Sequence, residues 1–240
     1  MKQVQLSNRL LAAAGMVTKG NVVADIGCDH AYTSIYLCQA GIAPRVIAMD
    51  VNKGPLVGAK AHVEEAGLAS QIDIRLSDGL QRLVPGEADS VLLCGMGGLL
   101  MIKILSDYPE ATASLKELIL QPQSEVGEVR KFLHKQGYEI TKEHMLKEDG
   151  KFYVMMRAVK ADGPQAYETE CEYTYGKLLL EEKNEVLLEY LSRELRLRTD
   201  VLDALSGQDT ENARRRRESL SREFSLIKEA EIRITGKVDE

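Results

Sequence analysis

The sequence predicts an α/β fold with a mostly parallel sheet, followed by a hairpin of two antiparallel helices. Three observations support this prediction. Short apolar runs alternate with helical segments between residues 22 and 137, which is typical of parallel strands joined by helices. A stretch of strand-like alternation with a turn at Asp149-Gly150 follows and indicates an antiparallel edge. Beyond residue 174, apolar residues recur at helical spacing.

The predicted elements follow one another in a simple order. A short amphipathic helix capped by Ser7 opens the chain, and five strands with intervening helices come next. The second strand is apolar on both faces, as expected for a strand inside a parallel sheet. Residues 138–159 form the predicted β-hairpin. The five strand segments are NVVADIG, RVIAMDV, IDIRLSDG, ADSVLLCGMGG and ELILQPQ.

Two domains are predicted, an α/β domain over residues 1–160 and a helical hairpin over residues 171–240. The segment ADGPQAYETE between them is typical of a linker. Apolar residues fall at helical spacing from Tyr175 to Leu205 and again from Leu220 to Ile234, so each helix has one apolar seam. This spacing predicts a coiled-coil-like hairpin whose helices are joined by the loop 206–210.

The composition excludes several classes of protein. A net charge of −6 with 44% hydrophobic residues describes a globular protein without overall basic character, so any contact with nucleic acid must be local. The four cysteines show no C-x-x-C spacing, and we expect neither a metal site nor a disulfide framework. No apolar run approaches the length of a signal peptide or a membrane span. We therefore expect a cytoplasmic protein with no membrane partner.

Glycines and acidic residues follow the strands at the edge where doubly wound sheets bind their ligands. The first loop, DIGCDHAY, contains Asp25, Gly27 and Asp29. A pyrophosphate at the start of the next helix would meet the negative charge of Asp29, which disfavours NAD, FAD and ATP. A ligand with a ribose and cationic groups but no phosphate is favoured, and S-adenosylmethionine has these properties.

The strand-end residues can be assigned to parts of such a ligand. Asp25 and Asp29 are expected to bind its ammonium group, while Gly27 lets the backbone approach it closely. Asp50 ends the second strand, 25 residues after Asp25, and is placed to accept hydrogen bonds from the ribose hydroxyls. Asp78-Gly79 lies where the adenine would be held. Other interpretations remain open: Asp29 as an N-cap, and the Asp50 and Asp78-Gly79 segments as ordinary turns.

Five segments in this order, DIGCDHAY, AMDVNKGPL, LSDGL, LLCGMGG and ILQPQ, resemble the bacterial tRNA (adenine-22-N1)-methyltransferase family. The resemblance extends over residues 7–160. It implies a class I, Rossmann-like methyltransferase fold and methyl transfer from S-adenosylmethionine to ring nitrogen 1 of an adenine in tRNA. It also places Tyr32 and the turn Gln121-Pro122-Gln123 on the side of the target base. The donor pocket it implies consists of Asp25, Gly27, Cys28, Asp29, Asp50, Val51, Asn52, Asp78, Gly79, Gly95, Met96 and Gly97.

The chemistry implied by the resemblance needs no strong base. Nitrogen 1 of adenine carries an in-plane lone pair that can attack the methyl group without first losing a proton, so catalysis depends on positioning and on stabilising positive charge. The candidate catalytic residues are Asp29, Gly95, Met96 and Tyr32, the last as a stacking partner for the base. Methyltransferases of exocyclic amines carry D/N-P-P-Y/F after the fourth strand, whereas GMGG here favours a ring nitrogen. Alternatively, GMGG only lets the next helix pack closely.

The tail contains four consecutive arginines, Arg214, Arg215, Arg216 and Arg217. Two interpretations are open, a solvated helix with glutamate partners or a patch that binds tRNA phosphates. The leucine seam is more typical of a packed hairpin than of a dimer interface, so a monomer is favoured over a dimer. Two other functions also remain open. One is a methyltransferase of small molecules or proteins, and the other is a non-catalytic module that binds the donor.

Overall fold

The computed structural model describes residues 4–237, and the chain divides into two compact units between Ala166 and Tyr167. The first unit contains a sheet flanked by helices. Its elements, in chain order, are α1 (Asn8–Ala14), β1 (Val23–Ile26), α2 (Tyr32–Gln39), β2 (Val46–Asp50), α3 (Lys53–Glu65), β3 (Ile72–Leu76), β4 (Ser90–Met96), α4 (Gly98–Asp107), α5 (Pro109–Ser114), β5 (Glu117–Pro122), α6 (Val126–Lys135), β6 (Tyr138–Glu148) and β7 (Lys151–Lys160).

The seven strands form one sheet in the order β3-β2-β1-β4-β5-β7-β6. Strands β1 to β5 are parallel to one another, while β7 is antiparallel to both β5 and β6. This confirms the predicted mostly parallel sheet with an antiparallel edge. In the register of the central strands, Ile26 lies beside Met49 and Leu93. The loops after β1, β2 and β4 therefore meet at one edge of the sheet.

The core lies in the middle of the sheet. Every residue of β1, β2 and β5 is buried, because these strands have neighbours on both sides and helices cover both faces. The outer strand β3 is only partly buried. A rigid, buried centre holds the strand-end loops in fixed positions.

Two local features of the first unit differ from the sequence prediction. The pattern ended the helix after β4 at Pro109, but this proline starts a separate helix, α5, in its first turn, where a missing N–H group does no harm. Ser7 occupies the N-cap position of α1, yet its side chain makes no capping hydrogen bond. The packing of α1 against the sheet, rather than its cap, fixes this helix.

The second unit consists of helices α7 (Glu170–Tyr175), α8 (Lys177–Glu181), α9 (Glu185–Ala204) and α10 (Glu211–Thr235). The helical pattern predicted from Tyr175 to Leu205 is not one helix. It is broken by positive φ angles at Gly176 and Lys183, after which Asn184 caps α9 by accepting a hydrogen bond from the N–H of Leu187 at 3.0 Å. No described helix is both long and apolar enough to cross a membrane.

Helices α9 and α10 pack against each other in antiparallel directions. Arg198 Nε lies 2.6 Å from Glu223 Oε2, and Arg217 donates to the carbonyl oxygen of Leu205 at 3.1 Å, so later residues of α9 meet earlier residues of α10. The large buried side chains of the two helices belong to the predicted apolar seams, although Val201 of the first seam is exposed. They include Leu187, Leu191, Leu220, Ile227 and Ile234.

Candidate functional site

The strand-end loops of the first unit are joined by backbone hydrogen bonds. The N–H of Gly27 donates to the carbonyl oxygen of Met49 at 2.8 Å, and the N–H of Ser77 donates to that of Asp50 at 2.9 Å. On the other side of β1, the N–H of Gln123 donates to the carbonyl oxygen of Met96 at 2.8 Å. The structure thus brings all the predicted loops together at the carboxyl edge of the sheet, where ligands bind in such folds.

Asp50 connects the first and second loops. Its carboxylate is buried, with Oδ2 accepting a hydrogen bond from the N–H of Asp29 at 3.2 Å and Oδ1 accepting one from the N–H of Asn52 at 2.8 Å. A carboxylate offers about four lone-pair positions, so two remain for further donors. The group is therefore held rigidly and can still accept hydrogen bonds from two neighbouring hydroxyls.

Asp25 is a buried carboxylate beside Asp50. Ser34 Oγ donates to its Oδ2 at 2.6 Å. Burial raises the pKa of Asp25 from 3.8 to about 6; the Ser34 hydrogen bond opposes this shift and the negative charge of Asp50 adds to it. At neutral pH the site thus contains an anion that a cationic ligand would stabilise.

Asp29 is not the N-cap of the next helix, and that interpretation is wrong. Helix α2 begins at Tyr32 with Ala31 in the N-cap position, and Asp29 lies two residues earlier with a φ of 48°. Its side chain is 72% exposed, with Oδ1 3.7 Å from Nε2 of His30. The carboxylate of Asp29 is therefore free to face a ligand at the rim of the first loop.

Tyr32 is exposed, and its main side-chain contact is with helix α3. Its ring stacks on His62 of α3, with centroids 4.8 Å apart and planes inclined by 24°, and its hydroxyl lies 3.4 Å from Nε2 of His62. Helix α3 follows β2, whereas the turn at Gly95 follows β4 on the other side of β1. The contacts of Tyr32 give no support to a stacking role at the target base.

The turn at Gly95 contains a β-bulge. The pairing of β4 with β5 shifts register between Cys94 and Met96, and Gly95 between them has a φ of 76°. Its N–H donates to Oε1 of the fully buried Gln121 at 3.1 Å, and the same oxygen accepts a hydrogen bond from Arg9 Nη1 at 3.2 Å. Sequence reasoning missed Arg9, since only the docking of α1 on the sheet brings it here.

The glycines of GMGG and of the first loop permit close approaches. A β-carbon on Gly27 would overlap Cε of Met96, so a glycine is needed for Met96 to lie across the first loop. A β-carbon on Gly98 would lie 2.9 Å from Val129 Cγ2 and 2.5 Å from the carbonyl oxygen of Ser124. Close packing therefore explains Gly98, while Gly95 is explained by its backbone conformation.

The end of β3 supplies a turn and an apolar surface. Ser77 Oγ donates to the carbonyl oxygen of Gly79 at 2.9 Å, which closes the turn and leaves Asp78 exposed. Val51 and Leu76, at the ends of the adjacent strands β2 and β3, are exposed large apolar residues. Leu76 was not among the predicted site residues. These side chains offer a flat apolar ligand a surface with a carboxylate nearby.

The cysteines near the site are protonated thiols at neutral pH. Burial raises the pKa of both Cys28 and Cys94 far above the usual range, and the nearby carboxylate of Asp25 raises it further. Among residues 4–237, no group of three or more His, Cys, Asp or Glu side chains could hold a metal ion. Neither thiol is a ready nucleophile.

Comparisons with known proteins agree on one family. The family model TrmK, described as tRNA (adenine(22)-N(1))-methyltransferase, matches residues 23–229. The tRNA (adenine(22)-N(1))-methyltransferase of Bacillus subtilis strain 168 is 35% identical over 233 residues, covering 95% of this chain and 98% of its own length.

Solved structures give the same result. The crystal structure of the Bacillus subtilis tRNA methyltransferase TrmK has a TM-score of 0.85 and 34% identity, covering 95% of this chain and 99% of that one. A Mycoplasma capricolum TrmK in complex with S-adenosyl-homocysteine has a TM-score of 0.84 and 28% identity, covering 95% of this chain and 99% of that one.

Proposed function

The chain belongs to the tRNA (adenine(22)-N(1))-methyltransferase family, and from this premise we propose which of its residues bind the methyl donor and which contact tRNA. The protein is an S-adenosylmethionine-dependent enzyme that methylates ring nitrogen 1 of an adenine in tRNA. The alternatives of a small-molecule methyltransferase and of a non-catalytic module are thereby set aside.

The observation that supports our assignment of the donor pocket is the group of carboxylates around the first loop. Asp25, Asp29 and Asp50 lie together at the carboxyl edge of β1 and β2. Three negative charges disfavour a pyrophosphate and favour the ammonium group of an amino-acid nucleoside. The buried Asp25 pairs with that ammonium, and the exposed Asp29 lies at the rim.

The remaining contacts follow from the strand order. Asp50 accepts hydrogen bonds from the two ribose hydroxyls, since each of its oxygens has one amide partner and room for another donor. Val51 and Leu76 offer an apolar surface to the adenine ring, and Asp78 accepts from its amino group. Gly27, Cys28, Asn52, Gly79 and Gly97 contribute backbone to the pocket.

Methyl transfer in this site depends on positioning. When bound, S-adenosylmethionine supplies an electrophilic methyl group, and the adenine nitrogen needs no base because its lone pair is already free. We assign Gly95 and Met96 to the region between the two substrates, because Met96 lies across Gly27 and connects the donor loop to the turn after β4. Asp29 and the backbone oxygens of this turn stabilise the positive charge that passes to the adenine.

Replacing Asp50 by alanine is expected to weaken S-adenosylmethionine binding about a hundredfold or more. The variant loses two hydrogen bonds to a charged group, each worth about 1.5–3 kcal/mol. Isothermal titration calorimetry measures the affinity, and Asp107→Ala serves as a control because Asp107 pairs with the exposed Lys103 on α4, away from the carboxyl ends of β1 and β2. Unchanged affinity in Asp50→Ala would remove this residue from the donor pocket.

The family activity is tested by methylating unmodified tRNA and analysing the nucleosides. We expect 1-methyladenosine at position 22, and no product from a transcript that carries guanine at that position. A product at another adenine, or methylation of proteins or small molecules in place of tRNA, would contradict the assignment.

The four arginines of the tail all have partners within the hairpin. Arg214 and Arg215 pair with exposed acids, Asp209 at 2.7 Å and Glu211 at 2.9 Å. Arg216 pairs with a glutamate of its own helix, whereas Arg217 bonds to the segment that joins α9 to α10. The first contacts Glu223 at 2.6 Å, and the second donates to the carbonyl oxygens of Leu205 and Gln208.

We assign tRNA phosphate binding to Arg214 and Arg215, since exposed surface pairs are weak and can exchange partners. Replacing both by glutamine should reduce the slope of log affinity against log salt concentration by up to the value of about two phosphate contacts. The unfolding temperature should not fall. In contrast, Arg217→Gln should lower the unfolding temperature because two carbonyl oxygens lose their donor. An unchanged salt slope in the double variant would exclude the tail from the tRNA site.

We also propose that the enzyme acts on cytoplasmic tRNA as a monomer. The seam leucines Leu187, Leu191 and Leu220 are buried within the second unit of a single chain, so they are not available to a dimer interface. Light scattering after size-exclusion chromatography measures this directly.

A further inference from the structure

The side chain of Arg9 extends from α1 to the turn at Gly95, to which we assign a part in methyl transfer. Its Nη1 bonds to Gln121 Oε1, which also accepts the N–H of Gly95. A β-carbon on Gly95 would lie 3.7 Å from Arg9 Nη1 and 3.8 Å from Gln123 Nε2. The N–H groups of Arg9 and Gln123 therefore both lie near Gly95, on the side where a β-carbon would be.

The charge of Arg9 is not neutralised within the described part of the chain. Among residues 4–237, no carboxylate forms an ion pair with it, and its contacts are the amide oxygen of Gln121 and the ring of Tyr153, 5.5 Å from its Cζ. A guanidinium has five N–H donors, and most of these remain available. Gln123 is exposed, and its side chain makes no hydrogen bond with a described residue. This geometry suits an anion with several oxygens.

The strand order indicates whether the anion belongs to the methyl donor or to the tRNA. The donor carboxylates lie at the ends of β1 and β2, whereas Gln121 and Gln123 lie at the end of β5 and Tyr153 lies on β7. Because β4 separates these two groups, Arg9 lies on the side of the methyl acceptor. Resting on the function proposed above, we propose that Arg9 and Gln123 bind a backbone phosphate of tRNA next to the target adenine.

The electrostatics of the reaction agree with this assignment. The adenine becomes a cation as it receives the methyl group, and an unpaired guanidinium beside Gly95 would oppose that charge. A bound phosphate neutralises Arg9. Arg9 can keep its bond to Gln121, which also accepts the N–H of Gly95, because its other N–H groups are available to the phosphate.

Arg9→Gln tests the site, with Lys19→Gln as a control. Lys19 is exposed in the loop before β1, at the opposite edge of the sheet, and its replacement changes the net charge equally. We expect Arg9→Gln to weaken tRNA binding at least tenfold and to reduce the salt slope by about 0.7–0.9, the value of one phosphate contact. Its affinity for S-adenosylmethionine should stay within twofold, and Lys19→Gln should leave both quantities unchanged.

Gln123→Glu tests the same phosphate while keeping Arg9 in the chain, because the new carboxylate would occupy the guanidinium that the phosphate needs. A carboxylate at this exposed position should repel the phosphate and weaken tRNA binding at least tenfold, again with unchanged donor affinity. If circular dichroism shows that Arg9→Gln is unfolded, Gln123→Glu alone tests the proposal.

Two results would overturn the proposal. One is a salt slope and tRNA affinity unchanged in both variants. The other is a loss of S-adenosylmethionine affinity in Arg9→Gln with tRNA binding intact, which would assign the guanidinium to the carboxylate of the donor. Failure of the proposed function itself is distinguishable, since the wild-type protein would then not methylate tRNA.

Discussion

Asp25→Asn is expected to bind S-adenosylmethionine at least tenfold more weakly and, without ligand, to be more stable than the wild-type protein. The carboxylate of Asp25 is buried and its pKa is raised from 3.8 to about 6, chiefly by that burial. At pH 7 the folded protein therefore contains a buried negative charge on Asp25, which lowers its stability. Each pKa unit corresponds to 1.36 kcal/mol, so its removal should raise the free energy of unfolding by up to about 3 kcal/mol. Asparagine can still accept the hydrogen bond from Ser34.

The pH dependence of this effect has a definite sign. A pKa that is higher in the folded state stabilises the protein fully below the unfolded value of 3.8, and this contribution is lost as pH rises through about 6. The two proteins should therefore have similar stability near pH 3.5, and the advantage of Asp25→Asn should grow up to pH 6 and then level off. Urea unfolding at several pH values measures it.

The same charge explains the loss of binding. The ammonium of the donor stabilises the ionised form of Asp25, so the affinity of the wild-type protein should fall as pH is lowered below 6, while that of Asp25→Asn should not. Asp107→Asn, at an exposed site, is the control for both measurements. A variant that is less stable at pH 7, or that binds the donor with wild-type affinity, would contradict the assignment of Asp25.

The donor crevice could be predicted from sequence because its residues directly follow strands. Strand ends of a parallel sheet meet at one edge, so the positions of Asp25, Gly27 and Asp50 in the chain determined that they lie together. The orientation of Tyr32 could not be predicted in this way. It depends on the contact of its ring with His62, 30 residues later on another helix. Arg9 was missed because its role depends on how α1 docks on the sheet.

Apolar periodicity predicted helices in the tail but not where they break. Both α8 and α9 bury leucines, so the apolar spacing continues across them, while the breaks at Gly176 and Lys183 come from backbone conformations that periodicity does not report. The run of arginines shows a similar limit. Its charge is visible in the sequence, but whether Arg217 faces solvent or the carbonyl oxygen of Leu205 is decided by the packing of α9 on α10.

Arg130→Met is expected to lower the free energy of unfolding by about 3–5 kcal/mol. Arg130 of α6 and Glu143 of β6 form an ion pair with Nε and Oε1 2.8 Å apart, and both side chains are completely buried. Loss of the guanidinium removes this charged partner from a carboxylate that stays buried. Domains are typically stable by about 5–15 kcal/mol, so this single change removes a large share of the stability. Urea unfolding measures it, with Lys131→Met on the same helix as a control, since Lys131 contacts the exposed Glu128.

The double variant Arg130→Met/Glu143→Leu shows how much the ion pair itself contributes to the free energy of unfolding. The single variant also includes the cost of leaving one charge buried without the other. Apolar side chains of similar size fill the same space without a buried charge, so most of the lost stability should return. Helix α6 begins four residues after Pro122, and Gln123 lies between them. If the pair also sets the position of this helix, the double variant should be stable yet show weaker tRNA binding, with unchanged affinity for the donor at β1 and β2. A double variant as unstable as Arg130→Met would show that packing, and not the charge left buried, causes the loss.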